Sequence, residues 1–388
     1  MCEGIKLHIK FSMKYSIIVP VYNRPDEVDE LLDSLCHQTV SDFEVIIVED
    51  GSAVPCQQVC QKYSGQLDLH YYNKPNSGPG QSRNYGAERA SGVFLLILDS
   101  DVILPPAYLE NVDRELAEGE CDAFGGPDAA HPSFTPTQKA ISYSMTSFFT
   151  TGGIRGGKVD TNGNAEKAEK ARNGGKRGAL DKFFPRSFNM GIRRDIYLKL
   201  NGFSKMRFGE DIDFSYRIVE AGCTTRLFPS AWVYHKRRTD FRKFFRQVYN
   251  SGIARINLEK RHPGTMKIVH MLPAAFTAGV ILMLVLSFVG RMLMVYGPGP
   301  DAVHRWYWLC AGPWLPLLLY SVLIFLDSTR HYVSEGSKLT QAMGIGARSI
   351  VAAYVQLMGY GFGFFNAVWK RIILRKDEFH AFEKTFYK

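Results

Sequence analysis

Short apolar runs and helical segments alternate through the first hundred residues, and this alternation constrains the fold more than any other feature of the chain. Residues 25–39 open with a proline and acidic residues and carry Val28, Leu31 and Leu35 on one face, which predicts a helix. Continuous apolar strands joined by helices are typical of a mostly parallel sheet with helices on both faces. The four strand-like runs are residues 15–23, 43–52, 67–73 and 92–101.

The fourth run ends in two carboxylates, within the stretch LLILDSDVILPP at 95–106. Ligands bind outside the carboxyl ends of the strands in such sheets, so Asp99 and Asp101 lie where a site is expected rather than a core. An Asp-x-Asp sequence, the DXD motif, can hold a hard divalent cation that bridges two phosphates. The same tripeptide also occurs in solvated turns, so the motif alone leaves both interpretations open.

Further polar residues are expected at the same edge of the sheet. Glu49 and Asp50 end the second run, although Asp50 could instead stabilise its turn. The stretch NSGPGQSRNYG places glycines and Arg83 at the entry to a predicted helix, where N–H groups and a guanidinium can meet phosphate. Arg83 could also be an exposed helix charge.

Two downstream stretches add carboxylates and an imidazole. RFGEDIDFSYRI carries Glu210, Asp211 and Asp213 at the start of a predicted helix. Asp211 could be a helix cap, and we expect Asp213 to serve the helix start or a salt bridge rather than the chemistry. WVYHKRR ends a short apolar run in His235, whose imidazole could complete a metal site.

The composition excludes a disordered chain, because 46% of the residues are apolar. The formal net charge of +9 suits anionic partners such as nucleotides, phospholipid headgroups or nucleic acid. The seven cysteines form no CxxC pair, which favours reduced thiols in a reducing compartment. The N-terminal stretch has no apolar h-region, so we expect no cleavable signal peptide, and Met13 is an alternative start.

Residues 152–178 are rich in Gly, Lys and Arg and nearly devoid of apolar residues, which predicts a mobile loop. This loop is either an inert insertion, or a lid or acceptor-binding loop that orders on binding.

Beyond residue 266 the chain becomes strongly apolar. Residues 268–290 and 306–326 contain no charged side chain and are long enough to cross a bilayer as helices, the alternative being a pair of buried core helices. Residues 349–369 are also uncharged but hold Gln356 and Asn366, so this segment could span the membrane, re-enter it or lie at its interface.

Basic flanks predict the orientation of these segments. Residues 236–246 precede the first span and 370–376 follow the third segment, and both stretches are rich in Lys and Arg. Such flanks stay on the cytoplasmic side, which requires an even number of crossings between them. We therefore expect two spans, a third segment that is interfacial or re-entrant, and a cytoplasmic N-terminal domain, as in a multi-pass protein of a bacterial inner membrane.

Taken together, the motifs over residues 15–240 resemble the family 2 inverting glycosyltransferases, which have a Rossmann-like GT-A fold. The resemblance implies a catalytic domain over 13–240. Composition and charge predict a basic juxtamembrane segment over 241–266, a membrane region over 267–376 and a cytoplasmic tail over 377–388. The matching stretches are SIIVPVYNRP, HQTVSDFEVIIVEDGS, GPGQSRNYGAERASG, LLILDSDVILP, FNMGIRRDIYLKLNGF and FGEDIDFSYRI.

The resemblance implies a role for each matching residue. Asp101 would ligate a divalent metal, Mn²⁺ or Mg²⁺, on the donor diphosphate, and His235 matches a metal ligand found in some relatives. Asp211 would be the catalytic base. The residues implied at the nucleotide are Pro20, Tyr22, Asp50, Arg83, Asp99 and Ser100, with Asp99 contacting the ribose or supporting the metal. Those implied at the donor or acceptor sugar are Asn189, Met190, Gly191 and Glu210.

The resemblance implies a single displacement, in which Asp211 takes a proton from the acceptor hydroxyl and a metal stabilises the departing diphosphate. The donor would be a nucleotide-diphosphate sugar, with UDP-sugars favoured, and no nucleic acid is expected. The chain lacks the Gln-x-x-Arg-Trp motif of processive synthases, so we expect one sugar per binding event. The basic, aromatic stretch 236–262 suits a lipid-linked acceptor or a surface-glycan precursor at the membrane.

Two other classes of protein remain open at this point. A metal-dependent nucleotidyltransferase also combines a metal, a nucleotide and an α/β sheet, but it leaves GEDIDFSYRI unexplained. A membrane-anchored nucleotide-sugar-binding protein without turnover would have no need of both Asp101 and Asp211.

Overall fold

The computed structural model describes residues 13–151, 183–236, 239–296 and 302–376. The segment predicted as a mobile loop and the predicted tail, residues 377–388, lie outside these ranges.

The described chain divides into two compact units. Residues 13–129 and 183–235 belong to the first unit, and residues 130–151 join the chain from 236 onward in the second. The division after residue 235 lies close to the boundary predicted at 240. The inclusion of 130–151 in the second unit differs from the predicted domain scheme, which placed this stretch in the catalytic domain.

The first unit is built on a seven-stranded sheet with the order β3-β2-β1-β4-β8-β6-β9. A smaller sheet has the order β5-β10-β7. The strands are β1 Tyr15–Val21, β2 Phe43–Asp50, β3 Leu69–Lys74, β4 Phe94–Leu98, β5 Val102–Ile103, β6 Ala123–Gly125, β7 Asp128–Ala129, β8 Asn189–Arg193, β9 Thr225–Leu227 and β10 Val233–His235.

Strands β1 to β4 are mutually parallel, so their carboxyl ends meet at one edge of the sheet. The register pairs Val21 with Glu49 and Asp50 with Lys74, which brings the loops after β1, β2 and β3 together. Strand β8 runs antiparallel to both β4 and β6, so the large sheet is mixed.

Helices cover both faces of this sheet because successive strand residues point to opposite sides. Ile17 and Val45 pack into a core beneath α1, α2 and α4, whereas Ile18 and Ile46 pack into a second core beneath α3, α7 and α8. The predicted α/β fold class is therefore confirmed. The helices of this unit are α1 Pro25–Cys36, α2 Gln57–Tyr63, α3 Pro79–Ala87, α4 Tyr108–Glu118, α7 Arg194–Lys199 and α8 Glu210–Glu220.

The second unit is helical in its described residues. Its long central helix, α13, packs against α5, α9, α10 and α12. Small residues permit this packing: a side chain at Gly363 of α13 would collide with the backbone carbonyl of Tyr249 in α9. The helices are α5 Pro136–Thr146, α6 Phe148–Thr151, α9 Phe241–Arg261, α10 Ile268–Tyr296, α11 Ala302–Ala311, α12 Trp314–Ser334 and α13 Leu339–Ala367, which continues as a π-helix over Val368–Ile373.

Three stretches among the described residues are long and apolar enough to cross a membrane: Ile268–Tyr296, Trp306–Ser334 and Leu339–Ile373. The first two contain the predicted spans. The third begins ten residues before the predicted segment at 349. A larger share of its most apolar stretch is buried within the protein, 44% against 22% and 6% for the other two. The preference for two spans over three stays a prediction.

Candidate active site

The loop after β1 is tied to the loop after β2 by Asn23. This residue has a left-handed φ of 54°, and its Oδ1 accepts hydrogen bonds from the backbone N–H groups of Ala53 at 2.8 Å and Val54 at 3.0 Å. Pro20 and Tyr22, both half-buried, lie on either side of the end of β1. They therefore stand at the edge where the strands end, and their contact with a base stays a prediction.

Asp50 is buried and bound by donors of the protein itself. Its carboxylate accepts hydrogen bonds from the N–H groups of Ser77 at 2.9 Å and Gly78 at 2.8 Å, and it pairs with the ammonium of Lys74. These contacts anchor the start of α3 rather than the turn that follows β2. A contact of Asp50 with the nucleotide stays a prediction.

Asp99, Asp101 and His235 form a cluster whose ligand atoms lie within 4.8 Å of one another. Antiparallel pairing of His235 in β10 with Val102 in β5 brings the imidazole beside the loop that follows β4. Its Nε2 lies 3.2 Å from Asp101 Oδ1. We refer to these three residues as the metal-ligand cluster, and the buried Ser100 lies between its two aspartates.

The surroundings orient two members of this cluster. The His235 ring stacks on Phe188, with centroids 5.1 Å apart. Its other nitrogen, Nδ1, is buried and has no hydrogen-bond partner within the described chain. The guanidinium of Arg24 contacts Asp101 Oδ2 at 2.5 Å.

Two carboxylates and an imidazole form a donor set that suits Mn²⁺ or Mg²⁺, and the three donors already converge on one point. The side chain of Asp101 is only 11% exposed, and a buried carboxylate needs a compensating positive charge. Arg24 provides that charge in this structure. The residues present therefore fit a divalent cation at the metal-ligand cluster.

Arg83 connects this cluster to the carboxylates of α8. Its side chain is buried, and it donates to Asp99 Oδ1 at 2.8 Å and to Glu210 Oε1 at 3.3 Å. The ring of Phe203 lies against its guanidinium, 5.1 Å from ring centroid to guanidinium carbon. Arg83 is therefore a buried bridge rather than an exposed helix charge.

Glu210 and Asp211, hereafter the acidic pair, occupy the first turn of α8. The residue before them, Gly209, has φ of 83°, a conformation that favours glycine and turns the chain sharply into the helix. Asp211 Oδ2 accepts a hydrogen bond from Arg186 Nε at 2.7 Å. The two members of the pair thus have different cationic partners.

Their environments shift the two pKa values in opposite directions. Burial, together with the negative charge of Asp211, raises the pKa of Glu210 to about 7. Burial also acts to raise the pKa of Asp211, but the positive charges of Arg186 and Arg83 outweigh it and hold this pKa below its ordinary value. Asp211 is therefore the carboxylate that is ionised at neutral pH and available to accept a proton.

Asp213 lies outside this arrangement. Its fully buried side chain pairs with Arg217 Nε at 3.0 Å and accepts a hydrogen bond from Ser204 Oγ at 2.8 Å. It has the structural role that the sequence led us to expect.

The three residues expected near the donor sugar are buried in β8. The side chain of Asn189 accepts a hydrogen bond from the Tyr108 hydroxyl at 2.6 Å and donates to the Ala231 carbonyl at 2.8 Å. The Met190 side chain lies in the hydrophobic core, and Gly191 packs against the ring of Phe124. These contacts are structural, and the assignment of the three residues to the sugar stays a prediction.

Sequence reasoning missed the cations that balance these acids. Arg24 follows β1 directly, and its position at the same edge as Asp101 is a signal that could have identified it. Lys74 ends β3 beside Asp50, and strand order alone could have paired them. Arg186 lies in no recognisable motif, so only the structure reveals its contact with Asp211.

A family model described as Glycosyl transferase family 2 matches residues 16–197. The chain contains a glycosyltransferase family 2 domain. The match covers Asp50, Arg83, Asp99 and Asp101 but ends before the acidic pair. The roles of all these residues, and those of Asp211 and His235, stay predictions.

Relatives of the family 2 domain include an uncharacterized glycosyltransferase of Haemophilus influenzae, 32% identical over 206 residues, which are 53% of this chain and 62% of that protein. The poly(ribitol-phosphate) beta-N-acetylglucosaminyltransferase TarS of Staphylococcus aureus is 42% identical over 116 residues, 29% of this chain and 20% of TarS. The chain spans less than two thirds of the length of these relatives.

Two solved structures are similar over most of the chain. TarS residues 1–349 in complex with UDP-GlcNAc covers 89% of this chain and 90% of its own, with 18% identity and a TM-score of 0.43. The mannosyltransferase PcManGT of Pyrobaculum calidifontis, in complex with GDP-Man and Mn²⁺, covers 90% and 88%, with 14% identity and a TM-score of 0.47.

Proposed function

We propose that the chain transfers a sugar, with inversion, from a nucleotide-diphosphate sugar to an acceptor hydroxyl. The supporting observation is the bridge made by Arg83, which contacts Asp99 of the metal-ligand cluster on one side and Glu210 of the acidic pair on the other. Cation-binding carboxylates and a candidate base therefore share one site. A family 2 domain with this arrangement favours glycosyl transfer over the nucleotidyltransferase and binding-protein alternatives.

In this reaction the acceptor oxygen attacks the anomeric carbon of the donor. A bond forms between them as the bond from that carbon to the diphosphate oxygen breaks, and the nucleoside diphosphate leaves with the bonding electrons. The acceptor proton passes to the carboxylate of Asp211, which is the ionised member of the acidic pair. No enzyme nucleophile is required.

Asp101 and His235 would hold Mn²⁺ or Mg²⁺, with Asp99 beside them, and the ion would supply positive charge at the donor diphosphate. Arg83 would add fixed positive charge at the nucleotide, and its two ion pairs keep its guanidinium in place. Among donors a UDP-sugar is favoured, because TarS, a relative of this domain, has been solved with UDP-GlcNAc.

The acceptor in this proposal is lipid-linked or a surface-glycan precursor, and the chain is a multi-pass membrane protein with a cytoplasmic catalytic domain. The support is chemical: three stretches could cross a bilayer, and α9 carries Arg and Lys residues along its length. An enzyme that glycosylates a water-soluble acceptor as well as a polyprenyl-diphosphate-linked sugar would contradict this part of the proposal.

The central test uses the purified full-length chain with Mn²⁺ and a donor panel of UDP-GlcNAc, UDP-glucose, UDP-galactose and GDP-mannose. We expect release of nucleoside diphosphate from one donor, with inverted configuration at the transferred sugar. Release of pyrophosphate from a nucleoside triphosphate and a sugar phosphate would instead identify a nucleotidyltransferase. Nucleotide binding without turnover of any donor would support a binding protein.

A further inference from the structure

Arg186 makes a contact with the acidic pair that no sequence motif anticipates. It lies in the loop directly before β8, and its Nε donates to Asp211 Oδ2 at 2.7 Å. The side chain of Arg186 is 46% exposed, whereas that of Asp211 is only 15% exposed. Arg186 is thus the solvent-facing member of an ion pair whose other member is the candidate base.

The acidic pair needs two cations because adjacent carboxylates in a partly buried site repel each other, and one of them tends to take up a proton. Arg83 is shared between Asp99 and Glu210. Arg186 binds Asp211 directly. The unequal distribution of cations distinguishes two otherwise similar side chains.

We infer that Arg186 is a positioning residue for the proposed transfer: by holding Asp211 Oδ2 in an ion pair, it makes Asp211, rather than Glu210, the carboxylate that takes the acceptor proton. The inference rests on the proposed function, since it requires that a base act at this site. It adds a residue to which neither the family match nor the sequence motifs assign a role.

Several charged groups face Asp211, and each affects its protonation. Arg186 approaches from the loop before β8, Arg83 from α3 and Glu210 from the same helix, while the Ile212 N–H donates to its carboxylate. Tyr216 faces Arg186. Without Arg186, burial and the charge of Glu210 are opposed mainly by Arg83, so the pKa of Asp211 rises.

The experiment compares R186Q and R186K with a matched control, R193Q. Arg193 is 47% exposed and also pairs with an aspartate, Asp195, at 2.8 Å, but it lies at the far end of β8 from the site. Release of nucleoside diphosphate is measured with Mn²⁺ between pH 5.5 and 9, using the full-length chain, the panel donor turned over fastest and water as acceptor.

We expect R186Q to move the acid limb of the pH–kcat profile upward by about 1 to 3 units, the range for loss of a neighbouring opposite charge. At the upper end of this range the rate of R186Q falls by up to about sevenfold at pH 6 and recovers toward the wild-type rate at pH 8.5, with the donor KM unchanged. R186K should move the acid limb only part of the way, because lysine keeps the positive charge but lacks the geometry of the guanidinium. R193Q should keep the wild-type profile.

A uniform loss of rate at every pH, or a change confined to KM, would overturn the inference.

A second measurement does not depend on turnover: the melting temperatures at pH 7.5 of R186Q, D211N and the double variant. We expect the double variant to be more stable than the sum of the two single losses predicts, because R186Q alone leaves an unpaired carboxylate. Additive losses in melting temperature would contradict the ion pair. A wild-type chain that releases no nucleoside diphosphate would contradict the proposed function instead.

Discussion

Two acidic regions of the first unit contain the same functional groups but arrange them differently. Asp99 and Asp101, separated by one residue in a loop, converge with His235 on a single point. Glu210 and Asp211 are adjacent on a helix, where successive residues point about 100° apart, and they bind different arginines.

The difference shows how backbone geometry assigns chemistry to a carboxylate. A loop after a strand lets alternate side chains meet around one cation. The first turn of a helix separates its side chains, so the two meet different surroundings: burial and the charge of Asp211 raise the pKa of Glu210, whereas Arg186 and Arg83 lower that of Asp211. The first region is therefore suited to binding an ion, and the second to distinguishing a proton acceptor from a neighbour that holds its proton.

Replacing Asp211 by Asn should give the largest effect, and it tests whether proton transfer and ion binding belong to different acidic regions. We expect kcat for nucleoside diphosphate release to fall by about 10² to 10⁴, because an amide cannot accept the acceptor proton. Stabilisation of the full-length chain by UDP and Mn²⁺, measured as a rise in melting temperature, should persist. D195N, at an exposed aspartate, is the matched control and should keep its activity.

Asp50 is a further carboxylate at the edge where the parallel strands end, and it is bound by the N–H groups of Ser77 and Gly78 and by Lys74. D50N leaves Lys74 without its counterion and weakens the start of α3, a loss of about 3 kcal/mol that lowers the melting temperature by about 6–12 °C. D29N, which breaks the exposed pair with Lys62, should have a much smaller effect. A D50N chain that melts normally but no longer binds UDP would assign Asp50 to the nucleotide instead.

Much of the fold of the first unit could be predicted because its signals are local. The run at 43–52 became β2 and the segment 25–39 became α1, each within a few residues. The antiparallel direction of β8 and the assignment of 130–151 to the second unit depend on long-range packing. Tyr143 of α5, for example, bonds to Asp327, which is 184 residues away.

The candidate site was predictable in its acids and in Arg83, but not in its other cations, Arg24, Lys74 and Arg186. Asp101 and Asp211 stand in motifs set by strand ends and helix starts, so the sequence marks them. Arg186 acts through a contact across 25 residues, which no spacing rule encodes. The Met190 side chain belongs to the core because strand alternation points it to the face of the sheet covered by α3, α7 and α8, a direction that motif matching ignores.

A metal-binding test separates the two acidic regions directly. D101N should weaken the Mn²⁺-dependent part of UDP binding by about 10- to 100-fold, as judged by melting temperature against Mn²⁺ concentration. H235Q should produce a smaller loss, because two carboxylates remain. D211N should leave the Mn²⁺ titration unchanged, and a D101N chain with the wild-type titration would show that the metal-ligand cluster does not bind the ion.

The smallest expected effect concerns Glu210 and appears in stability rather than rate. Its pKa is about 7 in the folded chain against an ordinary value of 4.5, so between these values the folded chain holds the extra proton and stability falls as pH rises. Asp211, whose pKa is lowered, contributes in the opposite direction and loses its contribution only in acid. E210Q should therefore reduce the fall in melting temperature between pH 5 and 7.5, while E88Q, at an exposed position, should not. An unchanged pH slope in E210Q would mean that the two carboxylates are not distinguished as the comparison requires.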